Sequence, residues 1–524
     1  MSKDLSKPTG LLRSGLIVSA MTMLSRVFGL ARDVVLANTI GAGAGADAFF
    51  VAFKIPNFLR RLFAEGAFAQ AFVPVLSEYR ERGTREAVRE LIDRVTGLLG
   101  TTLLGLTVIV VVAAPLVTTI FAPGFRGDAY KFDLAQHMLR ITFPYLLLIS
   151  LTGLAGAILN AYDRFAIPAF TPVLLNICLI TVAIWISPYF ASPVIALAWG
   201  VLVAGMVQLA FQIPFLYRLR LLPHPKLDFK HEGVKRVLLL MVPAMFGVSV
   251  SQINLLLDTV LASFLPTGSV SWLYYSDRLV ELPLGTVAVA MGTVILPSLS
   301  RQHVLQDASR FNATIDWALR WMLLIALPAT LALIILAEPI LATLFGYGKT
   351  NARDIAMSAM SLRAYALGLL AFMLIKVLAP AYFSRQDTKT PVKIGIISMV
   401  ANMVLNILLV IPLHFIWQIG HAGLALATSL AAFINFVLLY RGLRRARIYQ
   451  PLAGWLRYFG QLLGANLIMV LVLLISLSRL EKWASYGLDE RIFYMAFLCI
   501  AGLACYLLAL WLLGVRTEIF KRQQ

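Results

Sequence analysis

The chain has 524 residues, of which 60% are hydrophobic and 14% charged, and its mean hydropathy is +0.83. Soluble domains carry about 25% charged residues, so this apolar excess is too large to be a buried core and excludes a soluble protein. The composition predicts an all-α integral membrane protein. The formal net charge of +19 is spread over many short segments rather than held in one basic domain, so no nucleic-acid partner is expected.

Fourteen apolar segments are long enough to cross a bilayer, which takes about 20 residues. In chain order they cover residues 15–40, 47–77, 95–121, 133–160, 167–187, 192–217, 237–265, 270–300, 315–345, 354–384, 391–413, 421–440, 455–477 and 491–515. The connections between them are short, and the longest, around "RLRLLPHPKLDFKHEG", follows the sixth segment. Such loops cannot hold an extramembrane catalytic domain, so we expect the function to lie among the helices.

The charges in the tails and loops predict the orientation of these fourteen helices. When the loops are assigned alternately to the two sides, 26 of the 45 Lys and Arg residues fall on one side and 6 on the other. Loops rich in Lys and Arg stay in the cytoplasm. We therefore predict that the N and C termini are both cytoplasmic.

The first six helices resemble the next six in sequence. The stretch "RDVVLANTI", with Asp33 in second place, matches "LDTVLASFL", with Asp258 there, and Arg140 lies 223 residues before Arg363. Six is an even number, so both copies have the same orientation, and transporters built from such parallel repeats bind substrate where the repeats meet. The predicted domains are an N-lobe over residues 14–222, a C-lobe over residues 233–446, and two additional helices over residues 454–516.

Several arginines lie deep inside the predicted spans. An arginine at the bilayer centre costs about 2.5 to 17 kcal/mol, so Arg26, Arg60 and Arg278 must face protein, water or a ligand. Guanidinium groups suit bidentate binding of phosphate or carboxylate, so one interpretation is a polar cavity that binds a large anion. The alternative is a set of buried ion pairs that hold helices together. Around these arginines lie further charged residues: Arg32, Asp33, Lys54, Arg61, Glu65, Asp277 and Glu281.

Spacing along each helix suggests which of these charges pair. Arg278 and Glu281 are three residues apart, which predicts a local ion pair. Arg26 and Asp33 are seven apart and share a helix face, whereas Arg32 points about 100° away from Asp33.

The glycine-rich stretch "GAGAGAD" joins the first two predicted helices and ends at Asp47. It is either a plain connector or a hinge for the outer ends of both helices, with Asp47 pairing with a cavity arginine in the closed state. A phosphate-binding glycine loop is not expected, because no strand–turn–helix context and no Lys-Ser/Thr pair surround it. The cysteines lie in apolar runs and the histidines lack metal-site spacing, so neither a metal nor a cofactor is expected.

Five stretches of the sequence are distinctive: "SRVFGLARD", "GADAFFVAFKIPNFLRRLFAEGAFAQAFVPV", "SVSWLYYSDRLVELPLG", "ILNAYDRFAIPAFTPVLLNI" and "YFSRQDTKTPVKI". They resemble the MurJ (MviN) family of lipid II flippases, in the multidrug/oligosaccharidyl-lipid/polysaccharide exporter superfamily, and the likeness covers essentially the whole chain. The resemblance implies that four cavity arginines bind the substrate: Arg26, Arg32, Arg60 and Arg278. We expect four acids to form a gate or to support the cavity: Asp47, which matches the outer-gate acid of the family, Glu65, Asp33 and Glu281.

The resemblance implies a flippase that moves lipid II, the undecaprenyl-diphosphate-linked disaccharide-pentapeptide, across the bacterial cytoplasmic (inner) membrane by alternating access. Helices thirteen and fourteen would then form a groove for the lipid tail. The expected partners are lipid II and membrane lipids, with the peptidoglycan synthesis machinery as a candidate. The alternatives are a flippase for another polyprenyl-diphosphate-linked glycan, a membrane enzyme that uses such a lipid, and a scaffold for cell-wall enzymes.

Overall fold

The computed structural model describes residues 8–61, 68–228, 230–478 and 483–515. Every regular element in these ranges is helical, so the predicted all-α class is confirmed. The chain divides into two compact units, and the boundary between them falls after Val270.

Ten α-helices lie in the described part of the first unit. They are α1 (Pro8–Ile40), α2 (Ala44–Leu59), α3 (Phe68–Arg82), α4 (Arg85–Val112), α5 (Ala114–Phe121), α6 (Ala129–Thr142), α7 (Tyr145–Ala161), α8 (Ala166–Thr181), α9 (Pro193–Arg218) and α10 (Glu232–Ser263). The last of these, α10, was predicted to open the C-lobe and packs within the first unit against α3.

Nine further α-helices follow among the described residues. They belong to the second unit, except for the first two residues of α11, which belong to the first. They are α11 (Ser269–Pro283), α12 (Val289–Val304), α13 (Ala308–Ile335), α14 (Ala337–Phe345), α15 (Ala352–Phe383), α16 (Lys389–Trp417), α17 (Gly420–Arg445), α18 (Trp455–Ser478) and α19 (Leu488–Leu512). Helix α15 is the centre of this unit and packs against α12, α13, α14 and α17.

Among the described residues, eleven helical stretches are long and apolar enough to cross a membrane. They coincide with the predicted spans three to six and eight to fourteen. The other three predicted spans fall on α1, on α2 with α3, and on α10. Apolar length in the structure therefore supports eleven spans, and the total of fourteen stays a prediction.

Three segments predicted as continuous spans are interrupted in the described structure: α6 and α7 are separate helices within the fourth span, and the other two breaks share one geometry. Helices α4 and α5 meet at Ala113, which leaves helical geometry at φ −89° and ψ 20°. Helices α13 and α14 meet in the same way at Leu336, 223 residues later, with φ −91° and ψ 12°. A proline follows each break, Pro115 and Pro339, and proline lacks the amide hydrogen that would continue the helix.

A second backbone irregularity recurs at the same spacing. Asp163 follows α7 and Gln386 follows α15, and both residues adopt the left-handed conformation with φ 61°. A left-handed residue commonly ends a helix, because it turns the chain away from the helix axis. The two positions are again 223 residues apart.

Small and apolar residues pack the interior of each unit. In the first unit, α3, α4 and α7 bury Phe72, Leu91 and Ile158 completely. In the second unit, α15 and α17 lie so close that a Cβ at Gly368 would be 2.6 Å from Ser429 Oγ. Large apolar side chains along α16, α18 and α19 instead stay exposed, as expected of helices that face lipid.

Candidate functional site

Arg32 and Asp33 are neighbours in α1, and both side chains are buried. Arg32 donates to Asp33 Oδ1 through Nη2 at 2.7 Å and through Nε at 2.9 Å. Its Nη1 donates to Asn176 Oδ1 of α8 at 3.0 Å, and Asn176 Nδ2 donates to the Ser25 carbonyl of α1 at 3.1 Å. This network fastens α1 to α8 and fixes the direction of the Arg32 guanidinium.

The ion pair of Asp33 differs from what spacing alone predicts. Helix geometry places Asp33 on the face of Arg26 and away from Arg32. The long Arg32 side chain nevertheless curves round α1 and reaches the neighbouring carboxylate. Arg26 is half-buried and, within the described part of the chain, makes no hydrogen bond or ion pair. Its guanidinium donors are therefore open to a ligand.

Arg60 follows the last residue of α2 and is half-buried. Its Nε donates to Asn57 Oδ1 at 3.2 Å, which directs the side chain along its own helix. Glu65, the acid predicted to lie near it, falls in residues 62–67, outside the described residues.

Asp47 lies in the first turn of α2 and is 0% exposed. Its Oδ2 accepts a hydrogen bond from Lys131 Nζ of α6 at 2.8 Å and another from the Gly268 amide at 2.8 Å. Lys131 is itself only 4% exposed, and its ammonium group also lies 4.4 Å from the centre of the Phe125 ring. The buried acid is thus matched by a buried cation.

Lys131 is the functional candidate that the sequence analysis missed. Asp47 was expected to pair with a cavity arginine, but its charged partner in the structure is a lysine 84 residues away. Lys and Arg are scarce in the loops predicted to face outward, with 6 of 45. That scarcity is the signal that could have singled out Lys131 as a partner for an outer acid.

Arg278 and Glu281 form the ion pair that their spacing in α11 predicts. Arg278 Nη1 lies 2.8 Å from Glu281 Oε2. The Arg278 guanidinium carbon also lies 5.0 Å from the centre of the Tyr274 ring, within the range of cation–π attraction. The Arg278 side chain is 31% exposed and that of Glu281 is 43% exposed, so the guanidinium is held in position and remains accessible to solvent.

The charged residues therefore fall into separate small networks. In the first unit, Arg32 is grouped with Asp33, and Asp47 with Lys131, whereas Arg26 forms an ion pair with no other described residue. Arg278 and Glu281 belong to the second unit. Within the described residues, no group of three or more His, Cys, Asp or Glu side chains is placed to hold a metal ion.

Comparison with known proteins identifies a family. The model of a family described as lipid II flippase MurJ matches residues 36–493. A curated protein of Vibrio cholerae serotype O1, named probable lipid II flippase MurJ, is 50% identical over 518 residues, which cover 98% of each chain. A solved structure of lipid II flippase MurJ in an inward closed conformation has a TM-score of 0.78 at 28% identity, and the match covers 94% of this chain and 98% of that one.

The fold is shared more widely. A multidrug resistance transporter of the MATE family and MOP superfamily, solved in an inward-facing conformation, has a TM-score of 0.63 at 16% identity. The match covers 83% of this chain and 98% of that one. At this identity the likeness concerns the fold alone.

Proposed function

The chain belongs to the lipid II flippase MurJ family, as its motifs indicated, and we propose that it moves lipid II from the inner to the outer leaflet of the bacterial cytoplasmic membrane. A flippase family contains transporters, so the prediction of a multi-pass membrane transporter rather than an enzyme is confirmed. The observation that carries the proposed substrate is the 50% identity, along 98% of both chains, to a curated relative of that name.

The proposed arrangement has fourteen spans, with both termini in the cytoplasm, and two six-helix lobes followed by a final pair. The distribution of Lys and Arg supports the orientation, and eleven apolar helices support most of the spans. The helix breaks at Ala113 and Leu336 and the left-handed residues Asp163 and Gln386 support the duplication, because all recur at one spacing. Peptidoglycan synthesis enzymes are candidate partners because they would consume the delivered lipid.

The headgroup of lipid II carries a diphosphate, and arginine binds such a group through several parallel hydrogen bonds. In the proposed site, Arg26 and Arg60 of the first unit contact the diphosphate, and Arg26 contributes donors that no described residue occupies. Arg278 of the second unit stays a candidate on the strength of the resemblance. Arg32 donates hydrogen bonds to Asp33 and Asn176, and these bonds keep α1 and α8 together beside the proposed site. The protein binds the headgroup on one side and releases it on the other, so the arginines must hold it with only moderate affinity.

Asp47 is proposed to close the outer end of the site. Its contacts with Lys131 and the Gly268 amide are buried in this structure. Separating a buried acid from a buried cation exposes two charges that are strongly attracted in a poorly solvated setting. Opening at this point therefore has an energetic barrier that headgroup binding would have to offset.

The test is lipid II translocation in bacterial cells depleted of their own flippase. The parent protein, Arg26→Ala and Arg126→Ala are compared at equal membrane abundance. Arg126 is a matched control because it is exposed, lies between predicted spans and bonds only to Thr119 Oγ1 among the described residues, at 3.2 Å. We expect transport by the parent and by Arg126→Ala, and loss of transport in Arg26→Ala.

Each other outcome has a definite meaning. Equal transport by the parent and Arg26→Ala would show that Arg26 does not bind the headgroup. Lack of transport by the parent, with a functional flippase as positive control, would exclude lipid II as the substrate. A flippase for another polyprenyl-diphosphate-linked glycan would then take its place.

A further inference from the structure

A cleft of about 370 Å³ opens within the first unit between α1, the end of α7 and the start of α8. Its volume is near the lower end of the range for small-molecule sites, about 300 to 1,000 Å³. The lining residues are Val18, Thr22, Ser25, Asn160, Phe165, Pro168, Ala169 and Pro172.

The lining of this cleft suits a neutral ligand. None of its eight residues is charged, so a diphosphate or an ionised peptide would lack a counter-charge there. The polar side chains are those of Thr22, Ser25 and Asn160, and a purely apolar lipid tail would leave these groups without partners. Phe165 and two prolines supply flat apolar surface beside them. A sugar ring has this combination, with a C–H face and a rim of hydroxyl groups.

The polar groups of the cleft keep capacity for a ligand. Thr22 Oγ1 donates to the Val18 carbonyl at 2.8 Å, which leaves the lone pairs of its oxygen free to accept. Asn160 is exposed, and in the described part of the chain its carboxamide makes no hydrogen bond. One hydroxyl acceptor and one unengaged amide therefore face the same space.

The cleft adjoins the arginines proposed to hold the diphosphate. Thr22 lies one helical turn before Arg26 and shares its face of α1, while Ser25 immediately precedes it. Asn176 joins the two regions, because it donates to the Ser25 carbonyl and accepts from Arg32 Nη1. A ligand whose anionic group contacts Arg26 can therefore place an attached neutral ring in the cleft.

We infer that this cleft is a sugar subsite, which receives a ring of the disaccharide attached to the diphosphate of the transported lipid. The inference rests on the proposed function and extends it, because it assigns recognition of the glycan to residues distinct from the charged ones. The arginines then bind any polyprenyl diphosphate, and the cleft selects those that carry a sugar.

The experiment measures binding by the full-length protein in lipid nanodiscs. Two probes share the same tail and diphosphate: lipid II, which carries the disaccharide-pentapeptide, and undecaprenyl diphosphate, which carries no sugar. The test variant is Thr22→Val with Asn160→Leu, which keeps side-chain size and removes polar groups. Thr39→Val is the control, because Thr39 also lies in α1 and makes the same bond to its own helix, to the Val35 carbonyl at 2.8 Å.

The expected result is selective. The test variant should bind lipid II about five- to tenfold more weakly than the parent, as the loss of one or two ligand hydrogen bonds predicts, and undecaprenyl diphosphate equally well. Thr39→Val should match the parent with both probes. An equal loss for both probes, or no loss for either, would overturn the sugar subsite even if the parent binds lipid II. Failure of the parent to bind lipid II would overturn the proposed function itself.

Discussion

Asp93 and Asp316 occupy the same place in two helices of equal length and make the same contact, each within its own unit. Each is the ninth residue of a 28-residue helix, Asp93 in α4 and Asp316 in α13. Asp93 Oδ1 accepts the His224 amide at 2.8 Å, and Asp316 Oδ1 accepts the Leu452 amide at 3.1 Å. Both acids are buried. Asp93 binds the connector that follows α9, and Asp316 binds the connector that follows α17; α9 and α17 are the sixth helices of the two proposed repeats.

The first prediction concerns Asp316→Asn. Besides the Leu452 amide, Asp316 accepts hydrogen bonds from Tyr449 Oη at 2.8 Å and Trp455 Nε1 at 2.7 Å, and its Oδ2 binds Arg320 Nε at 2.8 Å. Loss of the carboxylate charge leaves the buried Arg320 without its counter-charge. We expect a destabilisation of about 3–5 kcal/mol in detergent, measured by reversible unfolding.

The control for this prediction is the equivalent change in the first unit. Asp93→Asn should be milder, about 1–2 kcal/mol, because its charged partner Lys226 is 3.8 Å away and 65% exposed. Asp316→Asn combined with Arg320→Met should recover much of the lost stability, since no uncompensated charge is then buried. Equal losses in the two single variants would contradict the charge-based explanation.

A second prediction follows from the close approach of the connector between α9 and α10 to helix α4. A Cβ at Gly97 would lie 2.2 Å from the Lys226 carbonyl oxygen, whereas a Cβ at Gly100 would meet nothing within 4 Å. Gly97→Ala should therefore displace the connector and destabilise the protein by about 1–3 kcal/mol. Gly100→Ala should be neutral or stabilising by up to about 1 kcal/mol, because alanine favours the helix. Melting temperatures of both variants in one detergent provide the comparison. A lower melting temperature in both would show that α4 tolerates no substitution at these glycines, whatever the distance to the connector.

The third prediction tests the buried pair of Asp47 and Lys131. Lys131→Met should destabilise the protein by about 3–5 kcal/mol, because it leaves a fully buried carboxylate without its cation. Asp47→Asn combined with Lys131→Met should be more stable than Lys131→Met alone, because neither charge remains. If the pair acts as the proposed outer gate, the double variant should still transport lipid II poorly. Wild-type transport by a stable double variant would make the pair structural only.

The fourth prediction separates two arginines of α1 by their effect on stability. Arg26→Ala should leave stability unchanged, because no described residue pairs with Arg26, and should weaken binding of undecaprenyl diphosphate at least tenfold. Arg26→Lys should bind with intermediate affinity, because lysine keeps the charge and loses the bidentate geometry. Arg32→Ala should destabilise by about 3–5 kcal/mol, because Asp33, 1% exposed, loses its guanidinium partner. Unfolding and binding measured on the same preparations distinguish the two roles, and a destabilised Arg26→Ala would show that Arg26 is part of the structure.

Properties set by local chemistry could be predicted from the sequence alone. Apolar length identifies membrane helices because each span must satisfy its own backbone hydrogen bonds in lipid, and eleven predicted spans have counterparts of that kind. The ion pair of Arg278 and Glu281 could also be predicted, since residues three apart on a helix are neighbours. Long motifs identified the family because their residues are specific in order as well as in type.

Contacts between distant elements were decided only by the tertiary structure. Lys131 meets Asp47 across 84 residues, and Asn176 meets Arg32 across 144, because α6 packs on α2 and α8 packs on α1. Helix periodicity gives the direction of a side chain and does not show which helix lies there. The partner of a buried charge depends on which helices pack together, since burial makes an unpaired charge too unfavourable to keep. The same packing brings together the residues that line the cleft beside Arg26.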